Sequence, residues 1–258
     1  MRDEVVLQGI VLAMSLVGEY DRRLVILTKE RGRITAFARG VRKSNNQLVS
    51  KTQLFVMGEF TLYEGRDAYT LKSVEAKEYF HELTYDMEKY CYGSYFCEVM
   101  SYLTREGERS TDYLNLLFVS LNALKKAMIS PKLIRVIFEI KMLDVFGQGI
   151  QSYHCPVCGN EPSGIFSAEA GGLVCSHCAG RTMNNINVSE ACVYTLKYIN
   201  AQKLGTLYNL TVKDEVLEEL ENITARFYDV HIGKKLPGKL QKGNTFFGLS
   251  AAATVREA

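Results

Sequence analysis

Two Cys-x-x-Cys pairs separated by 16 residues place the strongest constraint on how this chain folds. The pairs are Cys155/Cys158 and Cys175/Cys178, in the segment HCPVCGNEPSGIFSAEAGGLVCSHCAG. This spacing is typical of Zn²⁺ sites, because each pair presents two thiolates from one turn and two turns complete a tetrahedron. The sequence therefore predicts one structural Zn²⁺ per chain. A segment this short has little core of its own, so we expect the metal to supply much of its folding free energy.

Other uses of the paired cysteines fit less well. A redox dithiol is expected near a βαβ unit, and the pattern of residues around the pairs shows none. A catalytic zinc needs an open coordination position, which four thiolates do not leave. His154 and His177 adjoin the pairs and are alternative ligands, although the set of four cysteines is already complete. The remaining cysteines, Cys91, Cys97 and Cys192, lie in predicted helices and are expected to be buried thiols.

The N-terminal third of the chain has a β pattern. Short runs rich in Val, Ile, Leu, Phe, Tyr and Thr are separated by glycines, and they predict strands at 5–14, 23–28, 33–39, 54–63 and 68–74. Five short strands in this length are typical of a small closed barrel, of the OB or SH3-like type. Gly32 is predicted to mark the turn between the second and third strands. Residues 41–51 lose the pattern and predict an exposed basic loop.

From about residue 80 the apolar residues recur at helical spacing. Helices are predicted at 111–129, at 131–146 with a Ser130 cap, from Ser189, and from near Thr211, where Thr211 and Asp214 resemble a capping box. The fold class is therefore α+β and multidomain, a barrel followed by an α-helical domain with an inserted four-cysteine zinc module. The predicted boundaries are 1–80 for the barrel, 81–150 for the first helical part, 151–187 for the zinc module, and 188–258 for the second helical part with a basic tail.

The net charge of +2 conceals an uneven distribution. Residues 22–51 contain nine Lys or Arg and one acid, giving +8, and residues 231–258 give +4. A solvated face usually mixes signs, so this stretch favours phosphate binding over the alternative of a merely solvated face. The predicted DNA-binding residues are Arg22, Arg23, Lys29, Arg31, Arg33, Arg39, Arg42 and Lys43.

Two aromatic residues and the C-terminal tail could add to this surface. Tyr20 and Phe37 lie beside or within the basic stretch and are either stacking faces for bases or core residues. In the tail, a second phosphate contact and a simple soluble end are equally consistent with the four lysines Lys234, Lys235, Lys239 and Lys242.

Several function classes lack support in the sequence. It contains no GxxxxGK[ST], HExxH or GxSxG motif and no GxGxxG after a strand, and it has only four histidines. We therefore expect a protein that is not an enzyme. The N-terminus lacks the features of a signal peptide, and no apolar run reaches the roughly 18 residues that span a bilayer. These features predict a soluble cytoplasmic protein with no membrane partner.

With these residues in view, the chain resembles the RecO family of bacterial recombination mediators. The resemblance is carried by GIVL at 9–12, GEYD at 18–21 and TKERGRITAFARGVRKS at 28–44. Phe138-Glu139, Leu143 and Gly147, then the cysteine pairs, follow in the family's order. The family's basic tail motif is replaced here by LPGK at 236–239, which limits any residue-by-residue transfer there.

The resemblance implies a fold and a set of partners. It implies an N-terminal OB-fold, a helical domain and an inserted zinc module whose metal is structural, since some members lack the cysteines. It also implies binding to single- and double-stranded DNA and annealing of complementary strands in the bacterial cytoplasm, in association with the nucleoid. With RecR, such proteins help load RecA onto DNA coated by single-strand-binding protein. The acidic tail of that protein docks on the helical domain, where Lys132, Arg135 and Lys141 are candidate contacts.

Two rival classes remain open at this point. A zinc-containing adaptor that binds only proteins would explain the helices and the zinc module but would leave the +8 stretch unexplained. A zinc-dependent nuclease would need an open metal position, which the four cysteines deny it.

Overall fold

The computed structural model describes residues 3–233. These residues form two compact units, and the chain passes from the first to the second between Lys125 and Lys126. Within them, no helix is both long and apolar enough to cross a membrane. The four tail lysines from Lys234 onward lie outside the described residues, and the finer boundaries at 80, 150 and 187 stay predictions.

The first unit contains a closed five-stranded barrel. Its strands are β1 (Glu4–Val17), β2 (Asp21–Thr28), β3 (Gly32–Ala38), β4 (Met57–Tyr63) and β5 (Tyr69–Glu78). They are ordered β1-β2-β3-β5-β4, and the barrel closes where β1 pairs with β4. All neighbours are antiparallel except β3 and β5, which pair in parallel. This is an OB-like barrel, so the predicted strands and the predicted barrel are confirmed.

Alternation along the strands separates the barrel core from its outer face. Because successive side chains of a strand point to opposite faces, Leu24 and Ile26 of β2 lie inside with Ile34 and Ala36 of β3. Phe60 of β4 completes this part of the core. The intervening residues of β2 and β3 face outward and carry the arginines discussed below.

Gly32 ends the tight connection between β2 and β3, as predicted, and its conformation explains why glycine is needed. Its φ is +66°, and a Cβ there would overlap the carbonyl oxygen of Arg105. The chain at 104–110 runs against this hairpin: Arg33 N–H donates to Arg105 O at 3.2 Å, and Gly107 N–H donates to Arg31 O at 3.0 Å. The β2–β3 hairpin is therefore fixed by the segment that follows the first long helix.

Four helices complete the first unit. They are α1 (Leu48–Lys51), α2 (His81–Thr84), α3 (Met87–Leu103) and α4 (Thr111–Lys126). The prediction of an exposed loop over 41–51 was wrong at both ends, because Val41 is fully buried in the barrel core and residues 48–51 form α1. Residues 42–45 do form exposed turns, and they carry Arg42 and Lys43.

The second unit combines three long helices with a small sheet. The long helices are α5 (Pro131–Val145), α7 (Glu190–Ala201) and α8 (Asp214–His231), and a short helix, α6, spans Ser176–Ala179. The sheet comprises β6 (Ile165–Ser167), β7 (Gly172–Val174) and β8 (Ile186–Asn187), and β6 is its central strand. The predicted Ser130 cap of α5 is confirmed, since Ser130 accepts from Leu133 N–H, and the predicted start of α7 at Ser189 is confirmed, with Ser189 accepting from Cys192 N–H. The predicted capping box at Thr211 is wrong: α8 begins two residues later than that box requires, after Lys213, which makes no side-chain cap.

Candidate nucleic-acid interface and metal centre

A basic and aromatic surface lies at one end of the outer face of β2 and β3. Arg23 lies directly opposite Phe37 on β3, and Val25 lies opposite Thr35. Arg23 is exposed and Phe37 is half-buried, outside the barrel core. Arg39 is exposed and directly follows β3. The structure thus places Phe37 among the outward-facing cations, where its ring can meet a ligand.

The segment after β3 brings further cations to the same end of the barrel. Arg42 N–H donates to Tyr20 O at 2.9 Å, and the Arg42 guanidinium donates to Glu19 O at 3.1 Å. Lys43 Nζ lies 5.8 Å from the centroid of the Tyr20 ring, a cation–π arrangement. Tyr20 is 42% exposed. These contacts hold the basic turns against the β1–β2 connection, beside Arg23 and Arg39.

Arg22, although adjacent to Arg23, belongs to the interior. Its side chain points to the opposite face of β2, and Arg22 Nη1 donates to Val49 O at 2.7 Å and to Thr52 Oγ1 at 2.8 Å. Burial, together with the nearby charge of Arg42, lowers the pKa of the Arg22 guanidinium. Because the Arg22 guanidinium donates its hydrogen bonds within the protein, we leave Arg22 out of the DNA-binding surface proposed below.

The other predicted cations lie at the far end of the same hairpin. Arg33 lies opposite Leu27 of β2. Leu27 is four residues, or about 13 Å, along the strand from Arg23. Arg31 Nη1 lies 2.8 Å from Glu64 Oε2 and donates to the Tyr69 hydroxyl at 2.9 Å. Lys29 is half-buried at the end of the hairpin. The eight predicted residues therefore form two groups and one interior residue, not a single cluster.

The state of ion pairing distinguishes this face from the β4–β5 side of the barrel. There, each cation has an acidic neighbour: Arg66 with Asp67 at 2.9 Å, Lys72 with Glu4 at 2.6 Å, and Lys77 with Glu59 at 2.6 Å. Among residues 3–233, no acid forms an ion pair with Arg23, Arg39, Arg42 or Lys43. Cations left without a protein partner keep their charge available for an external anion.

The four paired cysteines converge on one point in the second unit. The Sγ atoms of Cys155, Cys158, Cys175 and Cys178 all lie within 4.8 Å of one another, and those of Cys158 and Cys175 are 3.6 Å apart. Four sulfurs around a tetrahedral Zn²⁺ are separated by roughly 3.8 Å. The arrangement can hold one metal ion with four sulfur ligands, which is compatible with a structural zinc.

The backbone turns that carry these cysteines are of the kind such a site requires. Gly159 N–H donates to Cys155 O at 2.8 Å, with Gly159 at φ +78°, and Cys178 N–H donates to Cys175 O at 3.0 Å. Burial raises the pKa of the Cys155 thiol, but backbone N–H groups of Cys175, Val157 and Cys158 outweigh it and lower the pKa to about 6. These donors favour the thiolate that binds a metal.

Neither neighbouring histidine joins the sulfur cluster. His154 and His177 are both exposed, and the group found within residues 3–233 consists of the four cysteines. The other thiols are buried, as predicted for Cys91, Cys97 and Cys192. Burial raises the pKa of Cys192 to about 12, so this thiol stays protonated at neutral pH.

The three candidate contacts for an acidic partner occupy different environments. Lys132 is exposed on α5. Arg135 pairs with Glu139 on α5 at 3.3 Å and with Glu221 on α8. Lys141 is buried, and its Nζ donates to Asn200 O at 2.8 Å and pairs with Asp144 at 3.2 Å. Arg135 and Lys141 therefore join the helices of this unit, and Lys132 has its charge in solvent.

The fold and the sites together define a class of protein. It is an OB-like barrel protein whose barrel carries exposed cations without acidic partners, followed along the chain by a helical unit with a cluster of four cysteines able to hold a metal ion. Family models give the particular member of this class: residues 1–80 match the N-terminal region of recombination protein O, and residues 84–240 match its C-terminal region.

Relatives across the whole chain agree with these matches. The chain is 31% identical to DNA repair protein RecO of Alkaliphilus metalliredigens over 88% of its length and 93% of the relative's. It is 32% identical to DNA repair protein RecO of Acetivibrio thermocellus over 88% and 91%. It is 29% identical to the protein of that name from Listeria innocua over 90% and 91%. The chain belongs to the RecO family, and this membership supports a role as a recombination mediator in DNA repair.

Proposed function

We propose that this chain binds single- and double-stranded DNA through the outer face of its barrel and anneals complementary strands. With RecR, it helps load RecA onto DNA coated by single-strand-binding protein. Membership of the RecO family supports this proposal. One structural observation selects the residues that we propose to bind DNA. The outward cations on β2 and β3 lack protein counter-charges, whereas those on the β4–β5 side are paired.

The proposed DNA-facing surface consists of the cations at one end of the hairpin and the two rings beside them. Its members are Arg23, Arg39, Arg42, Lys43, Tyr20 and Phe37. Lys29 and Arg33 extend the path along the strands. Arg31 is different, because its charge is balanced by Glu64 and its contacts tie β3 to the segment before β5. We assign it to positioning that segment.

The mechanism is electrostatic and involves no bond making in DNA. Two complementary strands repel each other through their phosphates, and bound cations reduce that repulsion while releasing counterions. Aromatic faces hold unstacked bases without sequence preference, which leaves their pairing edges accessible to a second strand. Phe37 lies beside Arg23 and Tyr20 beside Lys43, so a ring and a cation can contact the same nucleotide.

The metal centre has a structural role in this proposal. Four cysteine sulfurs around Zn²⁺ fill its coordination sphere and leave no position for water or substrate. The bound metal supplies folding free energy to the small sheet and the turns around it. Val174 and the half-buried Ile165 pack against the cysteine cluster, so metal binding and local packing stabilise the same segment.

A partner surface follows from the placement of the three helical cations. The acidic tail of single-strand-binding protein needs accessible positive charge, and Lys132 supplies it on α5. Arg135 and Lys141 are committed to Glu139, Glu221 and Asp144. In this proposal they shape the helical surface, and Lys132 makes the direct contact.

The experiment that tests the function is annealing of complementary oligonucleotides coated with single-strand-binding protein. We expect the chain to accelerate annealing and the variant Arg23→Ala/Arg39→Ala/Lys43→Ala to lose most of this acceleration. The control Arg66→Ala/Lys72→Ala/Lys77→Ala removes the same number of cations from the paired side and should anneal like the parent. Equal activity of the two triple variants would contradict the assigned face. If the parent chain bound no DNA in a filter assay, the protein-only adaptor would be the correct class.

A further inference from the structure

A second aromatic surface lies on the helical unit, on the solvent side of α7. Tyr194 is 72% exposed, and its ring is nearly parallel to that of Tyr198 one turn later, with centroids 6.5 Å apart and planes 24° apart. Tyr153, 47% exposed, lies across the same stretch of helix, because its hydroxyl donates to Lys197 O at 2.7 Å. Three tyrosines thus meet on one exposed surface.

The helix holds these rings in place and leaves their faces accessible. The opposite side of α7 is anchored by Cys192, Leu196 and Ile199, which are fully buried. Along the exposed side, Ala191 stands three residues before Tyr194 and Ala201 three residues after Tyr198. Positions three and four apart are neighbours on a helix surface, so small side chains flank the two rings.

Two lysines lie close to the tyrosines along the chain. Lys197 lies between Tyr194 and Tyr198, and Lys203 follows the end of α7. Within the described part of the chain, neither lysine forms an ion pair. The one acid of α7, Glu190, is in its first turn, four residues before Tyr194 and eight before Tyr198, so the lysines lie at the Tyr198 end of the surface. Flat aromatic faces beside unpaired cations match the two features of single-stranded nucleic acid, stackable bases and a charged backbone.

We propose that the exposed face of α7 is a second binding site for single-stranded nucleic acid. Bases stack on Tyr194 and Tyr198 at the edge formed by Tyr153, and the phosphates lie near Lys197 and Lys203. This site is separate from the barrel face of the proposed function and does not depend on it.

The absence of tryptophan from the sequence gives a direct test. Three single-tryptophan proteins are compared in the full chain: Tyr194→Trp on α7, Phe37→Trp on the barrel, and Tyr85→Trp as the control, at a position 87% exposed after α2. Each is titrated with a short oligothymidylate while indole fluorescence is recorded. Stacking of a base on the indole quenches its emission.

We expect the oligothymidylate to quench indole fluorescence in the Tyr194→Trp variant and to leave it unchanged in the Tyr85→Trp control. The Tyr194 signal should persist when Arg23→Ala/Arg39→Ala/Lys43→Ala disables the barrel face. An unquenched Tyr194→Trp reporter at concentrations that saturate Phe37→Trp would overturn this inference and leave the barrel proposal intact. The reverse pattern would move DNA binding from the barrel to α7.

A second measurement covers any perturbation by the indole. In the chain with the disabled barrel face, Tyr194→Ala and Tyr198→Ala are each expected to weaken oligothymidylate binding about tenfold, the usual loss for one stacking ring. Circular dichroism confirms that the helices are retained. Unchanged affinity in both folded variants would contradict the proposal.

Discussion

At the scale of single residues, the most instructive pair is Arg22 and Arg23. They are adjacent in sequence and identical in chemistry, yet strand alternation sends one into the protein and the other to solvent. The sequence predicted both as DNA contacts, because composition records charge and does not record which side of a strand it occupies. The partners of Arg22, Val49 and Thr52, lie far along the chain, so no local pattern pointed to them.

This difference predicts opposite phenotypes for two neighbouring substitutions. Arg22→Ala removes two hydrogen bonds from a buried charged donor and should lower the free energy of unfolding by about 2–3 kcal/mol. Arg23→Ala should change stability by less than about 0.5 kcal/mol. It should, however, reduce the slope of log affinity for single-stranded DNA against log salt by about 0.7. Urea unfolding and fluorescence titrations measure the two effects. A stable Arg22→Ala protein would refute the interior role.

Gly32 offers a second prediction at this scale. A side chain there must adopt φ +66° and displace the backbone at Arg105, so Gly32→Ala should lower the free energy of unfolding by about 2–4 kcal/mol. Gly18 is the matched control. It also has a positive φ, +57°, but a Cβ there meets nothing within 4 Å. Gly18→Ala should therefore cost only about 1 kcal/mol. Similar losses in the two variants would show that the close approach to Arg105 is unimportant.

At the scale of elements, the sequence predicted most of the architecture. Glycine-punctuated β runs located all five barrel strands, and Ser130 and Ser189 located two helix starts. The failures have physical causes. Residues 48–51 are a single helical turn packed on the barrel, too short to show a period. At α8, a plausible capping box was overridden, since the helix starts at Asp214 without a side-chain cap.

The metal-binding element gives a prediction with an internal control. Elemental analysis of the parent should give one equivalent of zinc, and Cys155→Ser, which removes one ligand from the cluster, should abolish it. Thermal unfolding of the helical unit should then begin at a lower temperature. Cys91→Ser changes a buried cysteine outside the cluster and should retain the metal. Freshly purified parent protein without metal would contradict the assignment, as would full metal content in Cys155→Ser.

At the scale of the whole molecule, the net charge of +2 says little about function. More informative is which cations form ion pairs with acidic side chains and which do not. The uneven distribution was visible in the sequence as a +8 stretch. The sequence did not show which of those cations lack an acidic partner, because partners such as Glu64 for Arg31 and Glu4 for Lys72 come from distant parts of the chain. The three-dimensional fold sorts the cations into paired and unpaired sets.

The central claim is that the unpaired cations on the outer face of the barrel bind DNA phosphates. The most direct test is the salt dependence of affinity for single-stranded oligonucleotides, measured for the parent and for Arg23→Ala/Arg39→Ala/Lys43→Ala. Loss of three phosphate contacts should reduce the magnitude of the log–log slope by about 2. The control Arg66→Ala/Lys72→Ala/Lys77→Ala should keep the parent slope. A slope unchanged by the first variant, or reduced equally by both, would contradict the claim.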